Sequence, residues 1–438
     1  MVQFKIKRAL LLAASVSALT CGVAQAGGFA LREQSAAGQG SSFAGAAAGG
    51  AGLGSMFWNP AAMTQYSGMQ SYYTFTAIAP NSNITANSSS PTYGFGPTSG
   101  DIGRSAVLPA SATSYQFNDR LWFGLSVNSP HGLVTKAPLN WSGQVYARTS
   151  KIFSTNVNPN VALKVNDWIS VAAGLQVEYF KTSLKSAFAL PTAGSVLPNA
   201  PTLTLAGDGI GYGFTAGVLL SPVKGLDLGI GYRSRMTIGL SGDVKNFPFV
   251  PIGLAGTNID ADVKLPDSLT IGARYQVTKD LTLLAGYEWT NWSLFSSFPV
   301  VSTGPIASGQ QLTTLAFGWR DGWFSSVGAE YKWNQQLTLR TGIAYESSPV
   351  TLATRGLRLP DADRIWTSVG LSYQITPKMN VDVGYTHIFA KDSQIALVAG
   401  NPTFNGVPYL ATAKGSVDIV SVGLRYSLFD KSPVRARY

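Results

Sequence analysis

The 438-residue chain contains one cysteine and two histidines. The single cysteine, Cys21, excludes an internal disulfide and any cysteine-ligated metal. His131 and His387 stand 256 positions apart in the sequence with no ligand motif around either, which argues against a histidine-based metal or catalytic cluster. Charged residues make up only 12%, and no run of 18 or more apolar residues follows the first 26, so membrane-spanning helices are excluded. Dense basic clusters are also missing apart from Arg435 and Arg437 at the tail. The positive balance is therefore spread over loops and gives no nucleic-acid footprint.

Residues 1–26 read as a secretory signal. Lys5, Lys7 and Arg8 form its basic start, Ala9 to Leu19 its apolar stretch, and Ala24-Gln25-Ala26 a small-residue cleavage site. The apolar stretch is too short to span a bilayer. Thr20 before Cys21 is a poor lipoprotein signal. The mature chain is expected to begin at Gly27, without a thiol. Removing the three basic residues of the leader from 32 leaves 29 against 22 acidic ones, a balance of about +7.

Residues 27–68 are rich in Gly, Ala and Ser, show no strand alternation and end in Asn59-Pro60-Ala61 before a further short polar stretch. Such composition fits a flexible linker. Phe29, Leu31, Phe43, Met56, Phe57 and Trp58 fit instead a plug packed inside a barrel, where small residues allow close backbone approach. Proline fixes its own φ, and Asn59 can satisfy nearby backbone groups, so Asn59-Pro60-Ala61 is expected to hold a tight turn.

Beyond residue 68 the chain alternates in hairpins. Leu281, Leu283, Ala285, Tyr287 and Trp289 alternate with Thr282, Leu284, Gly286, Glu288 and Thr290, and Val420 to Leu428 repeats the pattern. The apolar face ends again and again in Tyr or Trp, which suits lipid with an aromatic girdle; the other face carries Gly and charges of both signs. Six short polar turns alternate with seven long connections, at 80–103, 137–149, 186–209, 243–258, 296–309, 348–363 and 391–413. Thirteen connections give fourteen strands. The chain is therefore expected to be all-β: a 14-stranded antiparallel transmembrane β-barrel in the bacterial outer membrane, with an N-terminal hatch in its lumen. The expected units are the signal at 1–26, the hatch at 27–68, the barrel at 69–429 and a tail at 430–438. Inward charges are expected at Glu178, Arg233, Arg235, Glu288, Glu330, Arg340, Asp382 and Arg425, paired because their surroundings are of low dielectric. Arg32 and Glu33 are candidates for holding the plug against the wall.

Several short motifs appear in order: Asn59-Pro60-Ala61, Ser129-Pro130-His131-Gly132-Leu133, Asn158-Pro159, Tyr232-Arg233-Ser234, Leu265-Pro266-Asp267, Trp289-Thr290-Asn291-Trp292-Ser293 and Arg340-Thr341-Gly342. Ser348-Pro349-Val350 and Leu359-Pro360-Asp361-Ala362-Asp363-Arg364 complete the set. In these the chain resembles the FadL family of outer-membrane transporters for long-chain fatty acids and other hydrophobic compounds, from about Gly27 to Phe429. The resemblance implies a monomeric barrel with a hatch, a low-affinity groove among the outer loops and a higher-affinity pocket beside the hatch. It also implies a wall opening at a kinked third strand. One departure is the tail after Phe429, which leaves two candidates for the terminal assembly signal, Phe429 and Tyr438.

The third strand starts well at Leu121 and then meets Ser129, Pro130, His131 and Gly132. Proline cannot donate to a ladder and glycine weakens it. Either the strand ends there, or, as the resemblance implies, it kinks inward and leaves a lateral gap. Phe29 and Leu31 are candidates for the pocket. Lys181 lies where the family places a basic residue, although its strand phase, shared with Val177 and Tyr179, points outward.

The reading is passive uptake of hydrophobic molecules, with no cofactor, no metal and no catalytic residue. Implied partners are a fatty acid or hydrocarbon ligand, outer-membrane lipid and lipopolysaccharide, and the barrel-assembly machinery. A general diffusion porin and an outer-membrane hydrolase are the alternatives. The first would want an open lumen, the second a nucleophile with a base beside it.

Overall fold

A computed structural model describes residues 27–90, 95–187, 200–245, 257–304 and 308–429. The expected signal (1–26) and tail (430–438), with Tyr438, lie outside these residues. Fourteen strands form one closed antiparallel sheet. They are β1 (Met69–Ala86), β2 (Thr98–Asp101 and Ala106–Gln116), β3 (Leu121–Asn128 and Gly132–Lys136), β4 (Thr149–Lys164) and β5 (Ile169–Ala187). There follow β6 (Thr202–Val223), β7 (Leu226–Arg233 and Met236–Lys245), β8 (Asn258–Leu265 and Ser268–Gln276), β9 (Leu281–Thr290 and Ser297–Ser302) and β10 (Gln311–Ala316 and Gly322–Lys332). The last four are β11 (Leu337–Ser347), β12 (Arg364–Thr376), β13 (Met379–Ala390 and Ser393–Leu397) and β14 (Tyr409–Phe429). The ring closes by pairing of β14 with β1, from Met69 opposite Phe429 to Ala86 opposite Ala411.

The period of two explains the wall. On β14, Val420, Val422, Leu424 and Tyr426 are exposed while Ser421 and Ser427 are buried. Such an exposed apolar band has no place in water and matches a lipid face. Phe117, Trp168, Tyr275, Trp333, Tyr373 and Phe429 are exposed near the short turns, and Tyr212, Trp323, Tyr345 and Tyr385 nearer the long loops. Two of the latter tether to loop-side carboxylates: the Tyr345 hydroxyl donates to Asp363 at 3.0 Å and that of Tyr385 to Asp418 at 2.7 Å. The short turns share one device. The Asn118 side chain accepts from the backbone N–H groups of Arg120 and Leu121, as Asn166 does from Trp168 and Ile169, and Asn334 from Gln336 and Leu337.

Several long connections prove partly strand, Ser393–Leu397 within 391–413 among them. β1 continues to Ala86, β6 begins at Thr202, and Ser297–Ser302 pairs with Gln311–Ala316 within the connection read as 296–309. Backbone pairing needs no lipid, so neighbouring strands extend their ladder beyond the bilayer. β6 has 22 residues, about twice what a tilted spanning strand needs.

Inside the lumen sits the hatch. Ser35 caps a four-residue helix, α1 (Ala36–Gln39), by accepting from the Gly38 N–H at 3.2 Å. Short 3-10 turns follow at Ala46–Ala48, Gly52–Phe57 and Pro60–Gln65. Asn59 caps the last of these. Its Oδ1 accepts from the Ala61 N–H at 3.0 Å, and its Nδ2 donates to the carbonyls of Ala47 at 2.7 Å and of Val218 on β6 at 2.9 Å. Pro60 takes the first helical position, where no N–H is needed. Wall glycines make room for this turn: a Cβ at Gly217 would overlap Asn59, and one at Gly231 the Trp58 carbonyl. Nearly every hatch residue from Phe29 to Met63 is buried, so the lumen is filled rather than open.

Candidate functional site

Above the hatch tip lies an apolar cavity of about 110 Å³. Residues of successive strands supply its walls, among them Leu133 (β3), Ile152 (β4), Phe180 (β5), Leu205 (β6), Leu240 (β7) and Val263 (β8). Phe298 comes from the outer segment of β9, and Phe295, Phe317 and Trp319 from the breaks within β9 and β10. Phe29, at the tip of the hatch, is its floor. That ring meets His131, Phe180, Trp292, Phe295 and Trp319 with centroid separations of 5.7, 6.3, 4.8, 5.1 and 5.8 Å.

One cation enters this cavity. Arg358, from the β11–β12 loop, is half-buried in the wall beside Leu359. Its Nη1 donates to the Lys185 carbonyl at 3.0 Å and, more weakly, to the Thr149 carbonyl and the Ser150 hydroxyl, both at 3.4 Å. Burial lowers the guanidinium to about 10, which leaves it charged at neutral pH. No carboxylate lies within ion-pairing distance among the described residues.

Beside the cavity the wall is broken. β3 is interrupted at residues 129–131. β2 and β3 pair from Gln116 opposite Trp122 up to Ser111 opposite Val127. Beyond that, Ala106–Ala110 of β2 pair only with β1 among the described residues, until a single bridge joins Gly103 to Thr135. The hatch tip takes the place of the missing neighbour. The Leu31 N–H donates to the Pro130 carbonyl at 2.8 Å, the Gly132 N–H to the Phe29 carbonyl at 2.9 Å, and Gln34 Nε2 to the Ser129 carbonyl at 3.0 Å. Proline leaves no donor wanting there, and a Cβ at Gly132 would sit 2.8 Å from Leu31 Cδ1. Ser129, Pro130, His131 and Gly132 thus form one seam with the hatch.

Below Phe29 the lumen turns polar. A second cavity of about 50 Å³ is lined by Arg32, His131, Glu178, Arg233 and Glu288 together with Leu31 and Pro130. His131 Nδ1 lies 2.8 Å from Glu178 Oε1, and the Arg233 guanidinium stands 4.2 Å over the Phe57 ring. Arg32 bridges hatch to wall, at 2.6 Å from Glu288 and 3.4 Å from Glu346. Deeper still, Arg340 pairs with Glu330 at 2.8 Å and approaches Asp382 at 3.9 Å. Of the expected inward charges, Glu178, Glu288, Glu330, Arg340 and Asp382 are thus paired, Arg233 and Arg425 lie over the Phe57 and Tyr66 rings instead, and Arg235 points outward, its side chain 63% exposed, because the break in β7 at Ser234 shifts the phase. Glu33 differs from Arg32 in finding no partner. It is fully buried with neither carboxylate oxygen hydrogen-bonded, and burial raises it to about 7.

Phe29 lines the apolar cavity, whereas Leu31 lines the polar one and packs in the cluster that includes Leu108 of β2. Lys181 touches neither: its side chain is exposed on the outer face, and Phe180 and Thr182 point in. The cavity's cation is Arg358 instead. Sequence reasoning missed the aromatic wall from Trp292 to Trp319. Its signal was there, five aromatic residues on either side of and within the connection at 296–309. His387 lies at the outer surface, 2.8 Å from Asp418, and shares that carboxylate with Tyr385.

The profile of the family described as outer membrane protein transport protein (OMPP1/FadL/TodX) matches residues 17–428. The long-chain fatty acid transport protein of Escherichia coli K12 is 25% identical over 440 residues, covering 91% of this chain and 94% of that relative. The 47 kDa outer membrane protein of Pasteurella multocida is 28% identical, covering 95% and 97%. Among solved structures, a Pseudomonas aeruginosa FadL homologue superposes with a TM-score of 0.83 at 24% identity, over 92% of this chain and all of that one. The Ralstonia pickettii toluene transporter TbuX gives 0.67 at 16% identity, over 90% and 98%. With profile, relatives and barrel in agreement, the chain belongs to the OMPP1/FadL/TodX family, outer-membrane β-barrel transporters of hydrophobic molecules.

Proposed function

We propose that this transporter takes up a hydrophobic chain ending in a carboxylate, a long-chain fatty acid by class, and releases it sideways into the bilayer. The observation that carries the substrate class is Arg358: a charged guanidinium on an otherwise apolar cavity wall with no carboxylate partner among the described residues. An alkyl chain gains about 25 cal/mol for every Å² it removes from water, which the aromatic walls supply. A charge-assisted hydrogen bond to Arg358 adds about 1.5–3 kcal/mol, or roughly ten- to a hundredfold in affinity. The named function of the E. coli relative agrees with this class.

The exit route is supported by the seam. Phe29 is at once the floor of the cavity and the acceptor for Gly132 at the break in β3. A ligand that displaces Phe29 also loosens the two backbone hydrogen bonds closing the break, worth about 1 kcal/mol each. The ligand then meets unpaired β2 edge and lipid rather than the charged layer below, so its apolar surface is never fully hydrated. No energy source is required.

Native mass spectrometry of the purified barrel tests the substrate class. The expected co-purified ligand is a carboxylic amphiphile, lost or reduced in Arg358→Ala. A neutral hydrocarbon retained equally by both proteins would favour the other substrates of the family.

A further inference from the structure

The start of the hatch carries an unbalanced set of charges. Arg32 contacts Glu288 and Glu346, Arg364 lies 3.6 Å from Glu346, and Arg364 also contacts Asp361. Arg32, Glu346, Asp361 and Arg364 are each less than a tenth exposed. By direct contact two cations thus serve three carboxylates, with Arg233 acting on Glu288 only across the polar cavity, and a buried carboxylate short of a cation is disfavoured. Two backbone nitrogens point into the excess. Gly27 N donates to Glu346 Oε1 at 2.9 Å, and Gly28 N to Asp361 Oδ2 at 3.1 Å. Space there is fitted to glycine: a Cβ on residue 27 would lie 2.7 Å from Glu346 Oε1.

We propose that Glu346 and Asp361 form a binding site for the α-ammonium group of Gly27, created when the leader is cut after Ala26, and that this ion pair latches the hatch. The cut is made by a leader endopeptidase with one water molecule. Water adds to the Ala26 carbonyl, the C–N bond to Gly27 breaks, Ala26 leaves as a carboxylate, and the Gly27 nitrogen keeps the electron pair and takes a proton. A free α-amine has a pKa of about 8, so it is mostly cationic at neutral pH before the carboxylates favour that form further. Three cations then match three carboxylates. The spacing Ala24-Gln25-Ala26-Gly27-Gly28 serves both the cut and the dock, since the two glycines after the cut are those that fit against Glu346 and the Trp292–Trp319 wall. An uncut or lengthened chain would offer a neutral amide at the same place, so the latch sets only in the processed protein.

The test begins with the purified wild-type barrel. Intact mass should place its first residue at Gly27, and a small amine-acylating ester at neutral pH should label that amine about a hundredfold more slowly than the free peptide Gly-Gly-Phe, with normal labelling after denaturation. A mature chain that starts elsewhere, or an amine labelled at the peptide's rate, overturns the proposal. The second arm is a variant with one extra glycine ahead of Gly27, its start checked by mass. Amide exchange over Phe29 to Gln34 should accelerate about tenfold while β14 and β1 are unchanged. Equal exchange in the two proteins overturns the latch. Should the lengthened chain fail to assemble, the wild-type labelling rate still decides.

Discussion

The two cavities on either side of Phe29 are built from the same strands and share almost no chemistry. On β5, Glu178 faces the lower cavity and Phe180, two residues on, the upper. On β7 the change runs from Arg233 to Leu240, and along β9 and the stretch after it from Glu288 to Phe295. On β5 a single step of the inward-facing period separates the charged lower layer from an upper layer where only Arg358 is charged. The lower layer fixes the hatch, because pairs such as Arg32–Glu288 are costly to break in a dry lumen. The upper layer has no such directional demands, and any apolar shape that fills it gains. Phe29 is the partition, and through Gly132 it is also part of the wall.

That contrast can be broken most completely at the seam. Replacing Ser129–Gly132 by alternating β-branched and polar residues would continue β3 and push Leu31 away from the break. Uptake should fall to background, while the barrel remains heat-modifiable and still binds ligand from outside. Uptake at the original rate would mean the ligand passes the hatch.

Next in size is the partition itself. Phe29→Ala removes a ring 2% exposed and packed against five aromatic neighbours. It should cost about 3–5 kcal/mol of local packing, join the two cavities and weaken ligand binding. Calorimetric titration and single-channel conductance read both effects.

Glu33 gives a pH-dependent effect inside the polar layer. Its ordinary value is 4.5 and burial raises it to about 7. Below 4.5 the carboxyl is protonated whether the hatch is docked or not, so it contributes no pH dependence. Between 4.5 and 7 the undocked form ionises first, and docking weakens as pH rises. Above 7 the full penalty applies, on the order of 3 kcal/mol. Glu33→Gln should therefore slow hatch amide exchange at pH 8 and leave it unchanged at pH 4.5.

The smallest of these effects is at Asn59. Asn59→Ala removes a helix cap and two donated hydrogen bonds, about 2 kcal/mol of local stability. Exchange over residues 44–65 should quicken, and uptake should drop without loss of the barrel.

Much of this was legible in the chain. Strands announce themselves because lipid on one face and lumen on the other force a period of two, and Asn-led turns mark the short connections. The hatch showed through its aromatic residues among glycine and alanine. Lys181 and Arg358 mark where reading failed: strand phase already turned Lys181 outward, but nothing local says that a loop arginine folds back against Ser150 and Leu359. Arg235 was lost to a break in β7 that reverses the phase, and Glu33 to burial that only tertiary packing imposes. The ladder beyond the bilayer was underestimated because polar residues in a strand read as loop.

The substrate claim rests on Arg358, and a matched pair of ligands tests it most directly: a fatty acid and the fatty alcohol of equal chain length, titrated into wild type and Arg358→Ala. Wild type should prefer the acid by roughly ten- to a hundredfold, as a charge-assisted hydrogen bond requires, and the variant should bind the two equally with the alcohol's affinity unchanged. The same acid-to-alcohol ratio in both proteins would contradict the account.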